Sequence, residues 1–164
     1  MNLDDLVERD YLYYKKFTDV PFTGEVTGQA QGRIKDGIPD GPWVYYHENG
    51  QLKSKGESYK DGEWGYDGPR VEYYENGQLK TKGTYKDREQ DGPWVGYHPN
   101  GELQYNGTYK DGEVDGPWVW YHENGQLKTK GTYKDGEQDG LWVKYYKNGK
   151  LKEEGTYKDG EKIK

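Results

Sequence analysis

The sequence predicts an all-β protein, an elongated single-layer antiparallel sheet of tandem 24-residue β-hairpins, and three observations support this. The phrase Asp-Gly-Pro-Trp-Val or a close variant begins at residues 40, 67, 91, 115 and 139, at spacings of 27, 24, 24 and 24 residues. Apolar residues within a unit alternate instead of recurring every three or four positions, which is typical of strands. Gly and Asn-Gly punctuate each unit, as expected for turns between short strands.

Each unit is interpreted as two strands joined by a turn. In the unit from residue 115, the strands are PWVWYH and QLKTKGTYK. The turn could be a two-residue type I′ turn or a type I turn followed by a bulged Gly. The stretch His98-Pro99-Asn100-Gly101 favours the second, because Pro suits the second position of a type I turn and has no N–H for a ladder. This register pairs Tyr97 with Leu103 and Val95 with Tyr105.

That register divides the side chains between two faces. One face carries Val and Tyr from the first strand with Leu, Thr, Gly and Tyr from the second, and it hardly varies between units. The other face carries Trp and Lys, and its middle residue does vary. The middle residues are Tyr45, Glu72, Gly96, Trp120 and Lys144. Because stacked units must offer each other a constant surface, we expect the Val/Tyr/Leu face to be the core and the Trp/Lys face to be exposed. A one-residue slip, as in a type I′ turn, would exchange the faces.

The repeats divide the chain into an array and a cap. A partial unit spans residues 32–39, and full units begin at residues 40, 67, 91, 115 and 139, the first with three extra residues. Residues 1–31 match no repeat, so we expect them to cap the N-terminal end of the sheet, while the charged tail from Lys158 to Lys164 protects the other end.

Composition limits the classes of partner. The net charge is -6 and the pI is about 5.2, which argues against a nucleic-acid partner because phosphate binding needs excess Lys and Arg. The chain has no Cys, so disulfides and Cys-based zinc sites are excluded. The first residues show no basic start followed by an apolar run. We therefore expect a cytoplasmic protein if the chain is complete, and an exported or envelope-associated one if a signal peptide has been removed.

Neither metal binding nor catalysis is expected. The residues His47, His98 and His122 occupy one repeat position, which places neighbouring ones about 10 Å apart across two strands, too far to share a zinc ion. Acidic turns such as Asp111 to Asp115 could suit Ca²⁺, but Asp-Gly is also ordinary turn chemistry. The chain has no Cys nucleophile, and each His has the same replicated setting instead of a private acid or base partner. We expect no cofactor, no metal and no enzymatic activity.

The repeat pattern GxYKDGxxDGxWxxYxxNGxLK resembles the MORN repeat variant of bacterial proteins, and the whole chain is similar to the family labelled YwqK-type antitoxins. The resemblance covers roughly Phe22 to Glu161. It implies a single-layer array of β-hairpins. It also implies scaffolding between proteins or contact with phospholipid membranes, or an antitoxin or immunity role toward a partner toxin. The chain departs from the pattern at Arg70 in place of Trp, Leu141 in place of Pro and Arg88 in place of Gly.

The leading functional prediction is a non-enzymatic module that binds a protein partner, with the antitoxin of a toxin as its specific form. The variable middle residues place the contact on the Trp/Lys face, where indoles and lysines could grip an acidic partner. The candidate contact residues are Trp43, Trp94, Trp118, Trp120, Trp142, Lys128 and Lys130. Three alternatives stay open: a peripheral membrane scaffold that contacts phospholipid headgroups, an exported surface protein, and a lysine face that is merely solvated.

Overall fold

The computed structural model describes the backbone of residues 1–60 and 63–164, and the side chains of these residues except 57–60, 63, 64 and 66. These residues form fifteen strands and one short 3-10 helix, Leu3–Asp5. The strands are β1 (Leu6–Arg9), β2 (Leu12–Lys15), β3 (Gly24–Val26), β4 (Ala30–Lys35), β5 (Ile38–Tyr46), β6 (Leu52–Lys60), β7 (Glu63–Tyr73), β8 (Leu79–Lys86), β9 (Glu89–Tyr97), β10 (Leu103–Lys110), β11 (Glu113–Tyr121), β12 (Leu127–Lys134), β13 (Glu137–Tyr145), β14 (Leu151–Lys158) and β15 (Glu161–Lys162). Across the described ranges, no helix is both long and apolar enough to pass through a membrane.

Strands β3 to β15 form one 13-stranded sheet in which each strand pairs antiparallel with the next in sequence. The sheet is open at both ends and does not close into a barrel. Strands β1 and β2 form a separate two-stranded sheet. The predicted all-β array of tandem hairpins is therefore confirmed.

The turn within each unit is the predicted three-residue form. His98 N–H donates to the Glu102 carbonyl at 2.8 Å, and Gly101 N–H donates to the His98 carbonyl at 2.8 Å. Gly101 has φ +85°, which Gly adopts without steric cost. Tyr97 lies opposite Leu103, so the predicted register is confirmed next to the turn.

A bulge changes the register one residue beyond that pair. Tyr105 lies opposite Gly96 and not opposite Val95, because Gln104 is an extra residue in its strand. An extra residue in one strand shifts every later pair by one position. The same bulge recurs in each unit, at Lys53, Lys80, Gln104, Lys128 and Lys152.

The bulge corrects the predicted division of the faces. Trp118 lies opposite Gly131, while Val119 lies opposite Lys130. The Trp face therefore carries Trp and the middle residue of the first strand with Thr, Gly and Tyr of the second. The Val face carries Val, Pro and Tyr with Lys, Thr and Leu. The expectation that Lys shares a face with Trp is wrong for Lys130.

Where the structure describes the junction between consecutive units, a two-residue type I′ turn joins them. Asp111 has φ +48° and Gly112 has φ +81°, and Lys110 pairs with Glu113 across them. In the one turn that lacks Gly, Arg88 takes φ +72°. Arg88 therefore adopts the left-handed conformation that Gly takes at this position of the other described turns.

The N-terminal residues bury the largest aliphatic cluster. Leu6, Phe22, Val26 and Ile34 pack with Trp43, and Ile34 is 0% exposed. The predicted boundary between cap and array at residue 31 falls inside β4, because this strand and β3 already belong to the large sheet. The cap is thus continuous with the array, and its apolar residues cover the first Trp.

Candidate functional site

A row of indoles forms the core of the Trp face. Trp94, Trp118 and Trp142 are only 5%, 3% and 4% exposed. Each indole lies over a Gly of the preceding strand, where an added Cβ would come within 3.0 Å of the ring. Each Nε1–H donates to the carbonyl of the Thr after that Gly, at 3.0 to 3.2 Å. The covered glycines are Gly83, Gly107 and Gly131. Each Trp therefore links its own unit to the unit before it.

Tyrosines fill the spaces between these indoles. Tyr109 makes edge contacts with Trp94 and Trp118, at centroid distances of 5.9 and 5.1 Å. Tyr133 stands in the same way between Trp118 and Trp142, at 6.4 and 4.9 Å. Burial raises the pKa of both Tyr hydroxyls. The alternating Trp and Tyr rings supply the apolar burial that aliphatic residues supply in most domains.

This packing corrects the exposure expected for the candidate contact residues. Trp43, at 2% exposed, is buried like the other three indoles of the row, so these four do not form an open surface. Trp120 is half-buried and stacks on Trp118 at 5.4 Å. Lys128 is the exposed bulge residue, and Lys130 is exposed on the Val face. The structure does not bring the seven residues together on one surface.

The variable middle residues have intramolecular partners on the neighbouring strand. Tyr105 covers Gly96, so that a Cβ at Gly96 would overlap the phenol ring, and Gly96 is buried. Lys144 instead forms an ion pair with Glu153 at 3.1 Å. A large residue thus faces a small one, or a cation faces an anion. The opposed residues are Tyr45 and Ser54, Glu72 and Thr81, Gly96 and Tyr105, Trp120 and Thr129, and Lys144 and Glu153. Variation in this row therefore has a packing explanation that needs no partner.

The repeated His and Asn side chains connect successive turns. The ring Nε2 of His98 lies 3.1 Å from the Tyr121 carbonyl of the next unit, which it reaches as an N–H donor. Asn100 Nδ2 donates to the Glu123 carbonyl at 2.7 Å. His47 and His122 make the same contact. These three histidines are half-buried and link successive units. Among the described side chains, no three His, Asp or Glu residues lie together as metal ligands would.

The unit that has Arg in place of Trp contains an ion-pair cluster. Arg70 donates from Nε and Nη2 to the Glu72 carboxylate at 3.0 and 2.5 Å, and Lys80 Nζ lies 3.4 Å from the same carboxylate. Burial raises the pKa of Glu72, but the hydrogen bond and charge of Arg70, with the charge of Lys80, lower it further. The net pKa is below its ordinary value, so Glu72 is ionised at neutral pH.

The Val face holds a groove of about 880 Å³. Three rows of residues cross it from strand to strand. The central row alternates valines with Lys82 and Asn106. Prolines and threonines flank it on one side, and tyrosines and leucines such as Tyr97 and Leu103 on the other. Val71 and Val95 in the groove are half-buried. Unlike the Trp face, this face leaves apolar surface in contact with solvent.

One feature of the sequence indicates the Trp packing. Gly recurs at a fixed position inside the second strand, at residues 83, 107, 131 and 155. A Gly within a strand often marks the close approach of another group. The position predicts a ring over each Gly, and the Trp of the next unit is the side chain available to supply it.

Comparison with known proteins agrees with the hairpin units. The sequence signature described as MORN repeat variant matches residues 39–61, 66–87, 90–111, 114–135 and 138–159, more than half of the chain. No curated protein matches. A solved structure titled "Crystal structure of GtfA/B complex bound to UDP and GlcNAc" is 12% identical over 84% of this chain and 24% of that chain, with a TM-score of 0.20. This chain therefore spans about a quarter of that chain, and so low a score supports no conclusion about fold or function. The five matches coincide with the five hairpin units, and the chain belongs to the MORN repeat variant family.

Proposed function

We propose that the protein is a non-enzymatic repeat module that binds a protein partner in the groove of the Val face. One observation carries the proposal. Apolar side chains line most of the groove of about 880 Å³, and no described residue of the chain covers them. Concave apolar surface of this size is typical of binding sites on soluble proteins. MORN repeats are compatible with a protein-binding or membrane-binding module.

The architecture supports the choice of the Val face. The aromatic rings of the Trp face pack within the array, since Trp94, Trp118 and Trp142 are buried and donate their Nε1–H groups to the main chain. Among the described residues, no side chains pack over the Val face in this way. Its groove reaches from Pro69 to Pro117 and so crosses three units. A rigid surface built from successive repeats suits an elongated partner segment.

The chemistry of the described residues gives little support to catalysis. The MORN repeat family is not a known enzyme family. His47, His98 and His122 each donate Nε2–H to a main-chain carbonyl of the following unit, so all three serve one repeated structural contact and none has a setting of its own. The proposal of a non-enzymatic role rests on these repeated structural contacts.

The specific form of the proposal is that the partner is a toxin that the chain neutralises. Its support is the resemblance of the sequence to the family labelled YwqK-type antitoxins. When a toxin encoded by a neighbouring gene arrests growth of the host cells, co-expression of this chain should restore growth. Restoration should fail with groove variants. Growth arrest that the wild-type chain does not relieve would contradict the antitoxin role while leaving protein binding intact.

The groove is tested as the binding site in a capture experiment, in which the protein is used to retain its partner from the cells that make it. Val71→Asp and Val95→Asp should each abolish capture, because each places a carboxylate among the apolar residues that line the groove. Val20→Asp is the matched control, since Val20 is 74% exposed and belongs to the N-terminal segment. Unchanged thermal stability of the variants excludes unfolding as the cause. Capture that survives the groove changes but is lost with Trp120→Ala would move the site to the Trp face.

A membrane scaffold is distinguished by flotation with vesicles that contain anionic phospholipid. Binding to an anionic surface weakens steeply with salt. Salt-sensitive flotation of the wild-type chain, unaffected by Val95→Asp, would favour the membrane role over the protein-binding role.

A further inference from the structure

An Asn-Gly pair recurs in the turn inside each hairpin unit. A Gly after Asn favours attack of its main-chain nitrogen on the Asn side chain, since Gly lacks a Cβ that would hinder the approach. The attack requires the Asn side chain to leave its place in the turn, so the contacts of each side chain decide how readily it occurs. The five Asn residues are Asn49, Asn76, Asn100, Asn124 and Asn148.

Four of these side chains are held to the next unit. Each Nδ2 donates to a main-chain carbonyl of the following turn, at 2.7 to 2.8 Å. Each Oδ1 also accepts the N–H of the residue two positions later, at 3.0 to 3.2 Å. Two hydrogen bonds therefore fix each of these amides. The four residues are Asn49, Asn76, Asn100 and Asn124.

Asn148 keeps only one of the two hydrogen bonds. Its Oδ1 accepts the N–H of Lys150 at 3.1 Å. Its Nδ2 donates to no residue that the structure describes, because no further hairpin unit follows within the described ranges. Asn148 and Gly149 are both exposed. The amide of Asn148 is therefore the least restrained of the five.

The turn around Asn148 also lacks the second link between turns. In the other four turns, a His ring or the Tyr74 hydroxyl bonds to a carbonyl of the following unit. The equivalent residue here is Tyr146, which is 51% exposed and makes no such bond to a described residue. Residues 151–154 of β14 have no paired strand on their outer side within the described part of the chain. We therefore expect this turn to open more readily than the others.

The flanking charges favour the reaction at the same place. The attacking nitrogen must lose its proton, and a nearby cation stabilises the anion that forms, whereas a carboxylate destabilises it. Lys147 and Lys150 flank the pair Asn148-Gly149. A Glu lies next to the Asn-Gly pair in each of the other turns. These residues are Glu48, Glu75, Glu102 and Glu123.

A sixth Asn-Gly pair is restrained in another way. Asn106 and Gly107 lie inside β10, which pairs with β9 on one side and β11 on the other. In a strand, the side chain points away from the backbone plane, so its carbonyl carbon cannot reach the next nitrogen while the strand stays paired. We expect this pair to react slowly as well.

We propose that Asn148 is deamidated selectively and without an enzyme, because its amide is not held to a following unit. The nitrogen of Gly149, after losing its proton to solvent, attacks Cγ of Asn148. The bond from Cγ to Nδ2 breaks, and Nδ2 takes up a proton from water and leaves as ammonia. Water then opens the resulting succinimide at either carbonyl, which gives aspartate or isoaspartate. Water is consumed, ammonia is released, and no oxidant or reductant takes part.

The products change the hairpin of β13 and β14. Aspartate adds a negative charge between Lys147 and Lys150. Isoaspartate lengthens the main chain of the turn, which disrupts the 2.9 Å hydrogen bond from Gly149 N–H to the Tyr146 carbonyl. The modification therefore loosens this hairpin, whereas the groove on the Val face lies in earlier units. The inference is independent of the proposed function.

The inference is tested by incubating the folded chain in mildly alkaline buffer and mapping its fragments by mass spectrometry. A protease that cleaves before Asp places each turn Asn in a separate fragment, because every unit begins with Asp. We expect Asn148 to deamidate about tenfold faster than the other turn Asn residues, the effect of one or two net hydrogen bonds. In denaturant, this excess should fall. An equal rate at all five residues of the folded chain, or the same excess in denaturant, overturns the inference.

An added unit provides the matched comparison. A copy of residues 135–158 inserted after Lys158 keeps the period and gives Asn148 a following turn. Deamidation at Asn148 should then fall to the rate of Asn124, and the Asn of the inserted copy should become the fast site. Both residues keep the same flanking lysines, so only the hydrogen bonds between units differ. Fast reaction at Asn148 in this chain, with thermal unfolding showing that the chain folds, refutes the inference.

A charge variant separates the hydrogen bonds from the lysines without changing the length of the chain. Lys147→Glu with Lys150→Gln gives Asn148 the same neighbours as Asn124. Asn148 should still deamidate severalfold faster than Asn124. Equal rates would show that the flanking charges alone explain the selectivity, and would overturn the role of the missing hydrogen bonds.

Discussion

Gly107 lies directly beneath the indole of Trp118. A Cβ added at Gly107 would come closer than 3.0 Å to the indole carbons, while the backbone there is not in the left-handed region. The requirement for Gly at this position is therefore one of space and not of conformation. Gly116 shows the reverse, since it has φ +74° and open space where its Cβ would lie.

Gly107→Ala should destabilise the protein by about 2 kcal/mol, because the methyl group displaces a buried ring and breaks the Trp118 hydrogen bond to the Thr108 carbonyl. Gly116→Ala should cost only about 1 kcal/mol, since it adds backbone strain alone. The free energy of unfolding from urea titration measures both. Asn106→Ala, an exposed neighbour in the same strand, is the control and should change stability little. Equal costs for the two Gly changes would contradict the packing account.

Gly96 faces Tyr105, whereas Trp120 of the next unit faces Thr129, and this contrast predicts a compensating pair of substitutions. Gly96→Trp should destabilise strongly, by about 2 kcal/mol or more, because Tyr105 already occupies the space above Gly96. Adding Tyr105→Thr should recover most of that loss, since the next unit pairs Trp120 with Thr129.

A double-mutant cycle on unfolding free energies measures the coupling between the two positions. We expect the double variant to be more stable than the sum of the single effects by at least about 1 kcal/mol. Thr108→Ser combined with Gly96→Trp is the control, because residue 108 lies on the Val face away from Gly96. If the effects of Gly96→Trp and Tyr105→Thr are additive, the middle residues vary between units for a reason other than cross-strand packing.

The sequence predicts the fold more completely than it predicts the faces. The period gives the number of hairpins, and Pro99 and Gly101 give the turn and the Tyr97 to Leu103 register, all of which the structure has. The bulge at Gln104 follows from no comparable signal, because Gln and Lys at bulge positions are also ordinary strand residues. Since side chains alternate with a period of two, one extra residue is enough to move Lys130 away from the Trp face.

The exposure predicted for the indole row also differs from the structure. Constancy of the Val position predicts its burial, and variation of the middle residue predicts contact with a partner. In the structure, the constant Trp is buried, and the middle row varies in pairs such as Lys144 with Glu153. A single sequence shows which positions vary between units, but cross-strand partners become visible only once the register is known.

Arg88 provides a test of backbone strain that is independent of side-chain contacts. It holds φ +72° in a turn where the equivalent residue Gly136 has φ +81°. Its side chain also approaches Gly65, where an added Cβ would lie 3.1 Å from Arg88 Nε. Arg88→Ala removes that contact and keeps the strain, whereas Arg88→Gly removes both.

We expect Arg88→Gly to be about 1 kcal/mol more stable than Arg88→Ala, because only Gly takes this conformation freely. Thermal or urea unfolding compares the two. The repeat pattern, which has Gly at this position, predicts that Arg88→Gly is more stable than the wild type. The observed difference in unfolding free energy then measures the contribution of the Arg88 side-chain contact. Equal stability of the Ala and Gly variants would refute strain at this turn.

The Arg70 and Glu72 pair predicts a pH dependence on the acid side. The folded pKa of Glu72 is below its model-compound value of 4.5, so the unfolded chain binds the proton more tightly than the folded chain. The stabilisation is therefore present above about pH 4.5 and is lost as the pH falls through the lower folded pKa. Glu72→Gln should reduce stability at pH 7 by about 1 kcal/mol, and the difference from the wild type should disappear once the pH is below the folded pKa of Glu72. Unfolding free energies at several pH values measure it, with exposed Glu75→Gln as the control. A difference that is constant with pH would show that the charge of Glu72 does not stabilise the fold.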